Sequence, residues 1–273
     1  MSCPCPVGLA GLIPQHIAWA LSSWPFSGIR ESPLIETYYA GSYWLARPES
    51  AEACARRAAR FFHLLGRCDP AWTRWYEPAD SFEEARELQF ATDAASFQKL
   101  FARKENQIGD SFSFNLWTGD DLDETSGVDG RCGSAHLRVS SACVLRPYAE
   151  GPISERMLTA PVMTEVLRAM ALAWDPEWGV VASHQYDDLI SEKVMPAGAS
   201  VGWVMYFSRL RGAVPPLPAP VHIESVEDKG TLVILTPERF TASSPEHVAL
   251  AARIHELLDR AGLLRPLQPW PAG

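Results

Sequence analysis

Basic residues are scarce in this 273-residue chain: 24 Lys and Arg stand against 33 Asp and Glu, a formal net charge of −9. Such a balance disfavours DNA, RNA and anionic membranes, which recruit Lys and Arg, and favours a basic partner. Long apolar runs are missing too. No stretch reaches the roughly 18 uninterrupted apolar residues of a membrane span. The first 29 residues hold no Lys or Arg and are broken by Pro4, Pro6, Pro14 and Pro25, unlike an export signal. The expectation is a cytoplasmic protein in which residues 1–33 form a Pro-rich arm. The six cysteines fall at irregular intervals, which excludes the dense disulfide framework of a small secreted scaffold. Cys54 on an apolar helix face and Cys143 in an apolar strand read as buried thiols. Cys3-Pro4-Cys5 lacks the second ligand pair that a metal would need.

Catalytic signatures are also lacking. There is no P-loop and no G-x-G-x-x-G after a strand. His255-Glu256-Leu257-Leu258-Asp259 has Asp where a zinc-protease motif needs its second His, and reads as a helix surface. Glu227-Asp228-Lys229 holds the E-x-K half of a metal-dependent nuclease site, but it falls in a turn and has no recognisable upstream Asp. The seven histidines share no ligand spacing. No cofactor and no metal are expected.

What the chain does have is the makings of a packed core: 47% of its residues are apolar and 21% charged. Leu34 to Leu45, rich in aromatic residues, predicts a strand. Ser50 caps a predicted helix with Ala51, Cys54, Ala55, Ala58, Phe61, Phe62 and Leu65 inward and Gly66 as its stop; Arg56, Arg57 and Arg60 take the solvated face. Ser81 to Glu84 has the capping-box form, and a shorter helix follows from Asp93 to Lys104. Ser111 to Thr118 alternates with the period of a strand, as does Leu137 to Leu145. Ser154 to Trp174 reads as one long core helix. Strands are expected around 178–183, 201–207, 221–226 and 232–235, the last two as a hairpin whose turn uses Gly230 for a positive φ. Ser244-Pro245 opens a final helix that Gly262 ends. The class is α+β: a mixed, largely antiparallel sheet covered by several helices, one domain over residues 34–265, with a tail at 266–273.

The most distinctive local feature is charge of one sign. Between Lys104 and Arg131 no base interrupts Glu105, Asp110, Asp120, Asp121, Asp123, Glu124 and Asp129. The densest part follows Trp117-Thr118-Gly119 and runs into a Gly-containing loop. An EF-hand fails, because counting from Asp121 puts Ser126 at position six and Cys132 at position twelve. Two readings stay open. One is a solvated acidic loop; the other is a docking surface for a basic protein, formed by Trp117, Asp120, Asp121, Asp123, Glu124 and Asp129 with Trp117 as anchor.

Tyr43-Trp44-Leu45-Ala46-Arg47-Pro48-Glu49-Ser50-Ala51-Glu52-Ala53-Cys54-Ala55-Arg56-Arg57, then Asp69-Pro70 and Trp72 to Tyr76, resemble the opening of the immunity protein 52 family. Val201 to Ser208 resembles its Gly-Trp-containing strand, and Gly230 to Thr236 the strand after it. The resemblance covers roughly Leu34 to Leu264 and implies a non-enzymatic immunity protein of a polymorphic toxin system. Its partner would be a toxin encoded nearby, commonly a DNase with a restriction-endonuclease-like domain delivered by type VI secretion, with DNA access or the active site blocked in the cytoplasm. An acidic loop suits that role as a mimic of the phosphate backbone. The alternatives are an enzyme on an α+β scaffold with a carboxylate or His site, and a non-enzymatic sensor of a small ligand.

Overall fold

The structure, a computed structural model, describes residues 35–119, 125–136, 139–191 and 198–267. The Pro-rich arm with Cys3 and Cys5, and most of the tail, lie outside them. The aromatic run after Leu34 folds as β1 (Tyr38–Trp44), every residue of which is buried. Ser50 then caps α1 (Ala51–Cys68) by accepting from the Ala53 amide at 3.2 Å. Gly66 does not end this helix. It runs on to Cys68, and Asp69, in extended conformation before Pro70, stops it. Asp69 also accepts from the Ala71 amide to cap a 3₁₀ turn, Pro70–Thr73. Short pieces follow: β2 (Trp75–Tyr76), α2 (Phe82–Glu87) capped by Ser81, β3 (Gln89–Phe90), α3 (Ala94–Phe101) capped by Asp93, and β4 (Gln107–Ile108).

Next come β5 (Ser111–Gly119), β6 (Thr125–Cys132) and β7 (Ser141–Arg146). The middle strand corrects the expectation of a Gly-containing loop after the acidic run. Thr-Ser-Gly-Val-Asp-Gly-Arg-Cys has weak strand propensity, yet it pairs on both sides, with Phe114 opposite Gly130 and Val128 opposite Leu145. Gly130 is there for space: a Cβ on it would sit 2.1 Å from the Phe114 ring.

The long helix expected over 154–174 is two, α4 (Gly151–Met157) and α5 (Ala160–Trp174), parted at Leu158-Thr159. Pro161 explains the break. It has no N–H for the Met157 carbonyl and its ring would strike that carbonyl in a continuous helix; at the start of α5 neither matters. β8 (Trp178–Ser183) leads directly into α6 (His184–Ser191), a helix whose polar sequence gave no periodic signal. β9 (Val204–Ser208) begins later than the expected 201, and β10 (His222–Val226) and β11 (Gly230–Ile234) form the expected hairpin. Its positive φ falls on Glu227 and not on Gly230. Gly230 is required instead by close approach, since a Cβ there would lie 2.2 Å from the Phe207 carbonyl oxygen. α7 (Pro245–Arg260) ends in a Schellman motif: Gly262, with φ +72°, donates to Asp259 and Leu263 donates to Leu258.

All strands join one sheet in the order β10-β11-β9-β8-β1-β7-β6-β5-β2-β3, with β4 paired to β5, and every ladder is antiparallel. The class is therefore α+β, with no parallel pairing among the described residues. α1, α3 and α5 pack on one face. There Phe114 meets Phe62, Phe97 and Trp174, and Trp44 stacks on Trp174 with centroids 5.4 Å apart. Cys54, Cys132 and Cys143 are buried free thiols in this core.

Candidate partner-binding site

Four of the six carboxylate and aromatic positions singled out in the sequence, Asp120, Asp121, Asp123 and Glu124, lie outside the described residues. Their flanks do not. Gly119 and Thr125 are paired at the end of the β5–β6 ladder, so the acidic run leaves and re-enters the sheet at adjacent strands.

That end of the hairpin is tied down from several sides. Trp72 Nε1 donates to Ser126 Oγ at 3.0 Å, Ser126 Oγ donates to the Arg146 carbonyl at 2.7 Å, and Thr118 Oγ1 donates to the Ala71 carbonyl at 3.2 Å. The first and third join the hairpin to the 3₁₀ turn that follows α1, and the second joins it to β7. The turn itself is clamped to α4 by Asp69, 3% exposed, which receives Arg156 Nε at 2.6 Å and Nη2 at 2.8 Å. Burial alone would raise the Asp69 carboxyl, but the bonds from Arg156 and Ala71 outweigh it and hold the group below its ordinary range. A hollow of about 60 Å³ lies between hairpin and turn, with Arg74, Tyr76, Gly119, Tyr148 and Ile153 on its walls.

Trp117 and Asp129 are placed differently from surface anchors. Trp117 is 5% exposed and packs in a small apolar cluster with Tyr76 and Ala85, its ring 5.4 Å from that of Phe82 and its Nε1 donating to the Glu77 carbonyl. Asp129 is equally buried, ion-paired with Arg146 and accepting from Asn115 Nδ2 at 2.6 Å. Both residues brace the hairpin beneath its acidic end. Burial pushes the Arg146 guanidinium below its ordinary value, and Asp129 supplies it with an opposite charge in direct contact.

The Glu227-Asp228-Lys229 turn and His255 stay apart from this end. Lys229 Nζ pairs with Asp175 at 3.1 Å, and His255 is exposed on α7. Among the described residues no group of three or more His, Cys, Asp or Glu is arranged to hold a metal ion, and no helix is long and apolar enough to cross a membrane.

Residues 36–267 match Immunity protein 52. The chain belongs to that family. Family membership makes it an immunity protein, and an immunity protein implies a cognate toxin as partner. Among solved structures it is similar to "Pseudomonas aeruginosa T6SS protein PA0821", with a TM-score of 0.53 at 13% identity over 95% of this chain and 89% of that one. At such identity the likeness establishes a shared fold. Comparison with curated proteins finds no match.

The sequence had no means of finding Asp187. This α6 carboxylate accepts from Tyr39 Oη at 2.8 Å, and burial, aided by Asp188, raises its pKa to about 6 against the lowering effect of the Tyr39 bond. Asp187-Asp188 reads as an ordinary acidic pair, and only the contact with β1, nearly 150 residues away, buries one member.

Proposed function

We propose that this immunity protein does no chemistry, and that it neutralises a DNase toxin delivered by type VI secretion, binding it in the cytoplasm and covering its DNA-binding or active-site groove. The observation that carries the reading is the family match over 36–267; the likeness to a T6SS protein of Pseudomonas aeruginosa is compatible with the secretion context. The docking element we propose is the end of the β5–β6 hairpin, where Asp120, Asp121, Asp123 and Glu124 follow Gly119. A groove evolved for a phosphate backbone is positive, and a cluster of carboxylates on a braced hairpin competes for it. Trp117 and Asp129 serve from below by fixing the hairpin that carries them.

The test is to mix the full chain with the product of the neighbouring toxin gene. Co-elution as one complex and loss of DNA cleavage at equimolar ratio are expected. Uninhibited cleavage with no complex overturns the reading.

A further inference from the structure

One surface of this acidic protein has the opposite sign, and nothing in the fold uses it. On α1 the exposed positions are Glu52, Arg56, Arg60, His63 and Arg67, spaced so that they form one ridge along the helix. Its four arginines divide by role. Arg57 is turned inward, donating to Glu49 at 2.8 Å and to the Ala173 carbonyl at 3.1 Å, so it anchors the helix to α5. Arg56 pairs with Glu52 one turn earlier, both side chains well exposed. Arg60 and Arg67 form no ion pair or hydrogen bond among the described residues. Arg56 and Arg60 are like charges one turn apart, which weakens a helix. α1 lies between α3 and α5, so the ridge is the outer crest of the helical layer.

We propose that this ridge, through Arg60 and Arg67, docks an acidic patch on the toxin, next to the groove that the hairpin's carboxylates fill. The proposal rests on the immunity reading above. Three observations support it. The ridge runs toward the hairpin: Arg67 is two residues from Asp69, and the turn after Asp69 holds Thr118 and Ser126 of β5 and β6. The strand ends that flank the acidic run, Gly119 and Thr125, therefore lie at the same end of the molecule as Arg67. The ridge's arginines are available, because the structural work on α1 is done by Arg57. A uniform polyanion such as nucleic acid is repelled by a chain of net charge −9, whereas a local acidic patch on a protein feels the ridge at short range. Adjoining surfaces of opposite sign also fix the orientation of the partner, which one charge cluster cannot do.

The experiment compares wild type with R60E/R67E and R60K/R67K, titrated against a catalytically inactive form of the neighbouring gene's toxin at low and physiological salt. Wild type and R60K/R67K are expected to bind within about threefold of each other, and R60E/R67E at least about tenfold more weakly, with the gap shrinking as salt rises. Circular dichroism checks folding; if R60E/R67E does not fold, R60Q/R67Q is read in its place, with an intermediate loss expected. Equal binding by wild type and the reversed or neutral variant overturns the ridge while leaving the immunity reading intact. No binding by wild type overturns both. Loss by R60E/R67E of binding to a 20-base-pair DNA duplex, or of a concentration-dependent dimer, also overturns the proposal by giving the ridge another occupant.

Discussion

The β5–β6 hairpin has two faces of different character. Toward the helices it presents Phe114, Leu116, Val128 and Cys132, each no more than 2% exposed, packed against rings from α1, α3 and α5. Toward the other side it presents Asn115, Asp129 and, from β7, Arg146, with Arg131 Nε donating to Ser111 Oγ at 2.9 Å. One face is held by dispersion and water exclusion, the other by charge and hydrogen bonds between partners that only make sense in pairs.

Substitutions break the two faces in different ways. The largest effect is expected from Phe114→Ala, a loss of about 3–5 kcal/mol from the cavity it leaves, read from urea midpoints. Gly130→Ala alone costs about 1–3 kcal/mol because its methyl meets the Phe114 ring. In the double variant the methyl enters the space Phe114 vacated, so the combined loss falls short of the sum. On the polar face, Asp129→Ala takes the ion-pair partner from a largely buried guanidinium, 24% exposed, and costs about 1–3 kcal/mol. Replacing the pair together, Asp129→Asn with Arg146→Met, comes closer to wild type than Asp129→Ala alone.

One strand pair further along the same polar side, Asp187 gives that face a pH signature. Its folded pKa of about 6 lies above the ordinary carboxylate value, so the protonated form is favoured by folding. The stability it contributes is complete below about pH 4 and is lost as pH rises through about 6. Asp187→Asn retains an acceptor for Tyr39 and removes the titration. Relative to wild type, the variant is expected to gain up to about 2–3 kcal/mol between pH 4 and pH 7, seen as a diverging difference in thermal midpoint. A constant difference across that range contradicts the assignment. The smallest effect belongs to the helical side: Ser50→Ala removes the α1 cap and costs about 1 kcal/mol at any pH.

The same contrast decides what the sequence made legible. α1, with its Ser50 cap and apolar stripe, and α7, with Ser244 and Gly262, were readable because their signals are local. The family was readable from ordered motifs between Tyr43 and Thr236, which the match over 36–267 supports. β6 was not, because its glycines read as a loop until Phe114 is seen lying over Gly130. α6 was not, because its burial depends on Tyr39 and Phe240 from distant segments. The break before α5 was written in Pro161, but a continuous apolar stripe on both sides concealed it. As for the site, sequence located the acidic run and its neighbours Trp117 and Asp129; that these two sit inside the hairpin as braces required the strand register.

Hydrogen–deuterium exchange of the full chain, with and without the catalytically inactive toxin, tests the location of binding most directly. Binding through the hairpin end and the α1 ridge predicts slower exchange in peptides spanning 116–128 and 60–74, with the edge strand His222–Val226 unchanged. Protection confined to that edge strand, with the hairpin end and the α1 ridge unaffected, would contradict it.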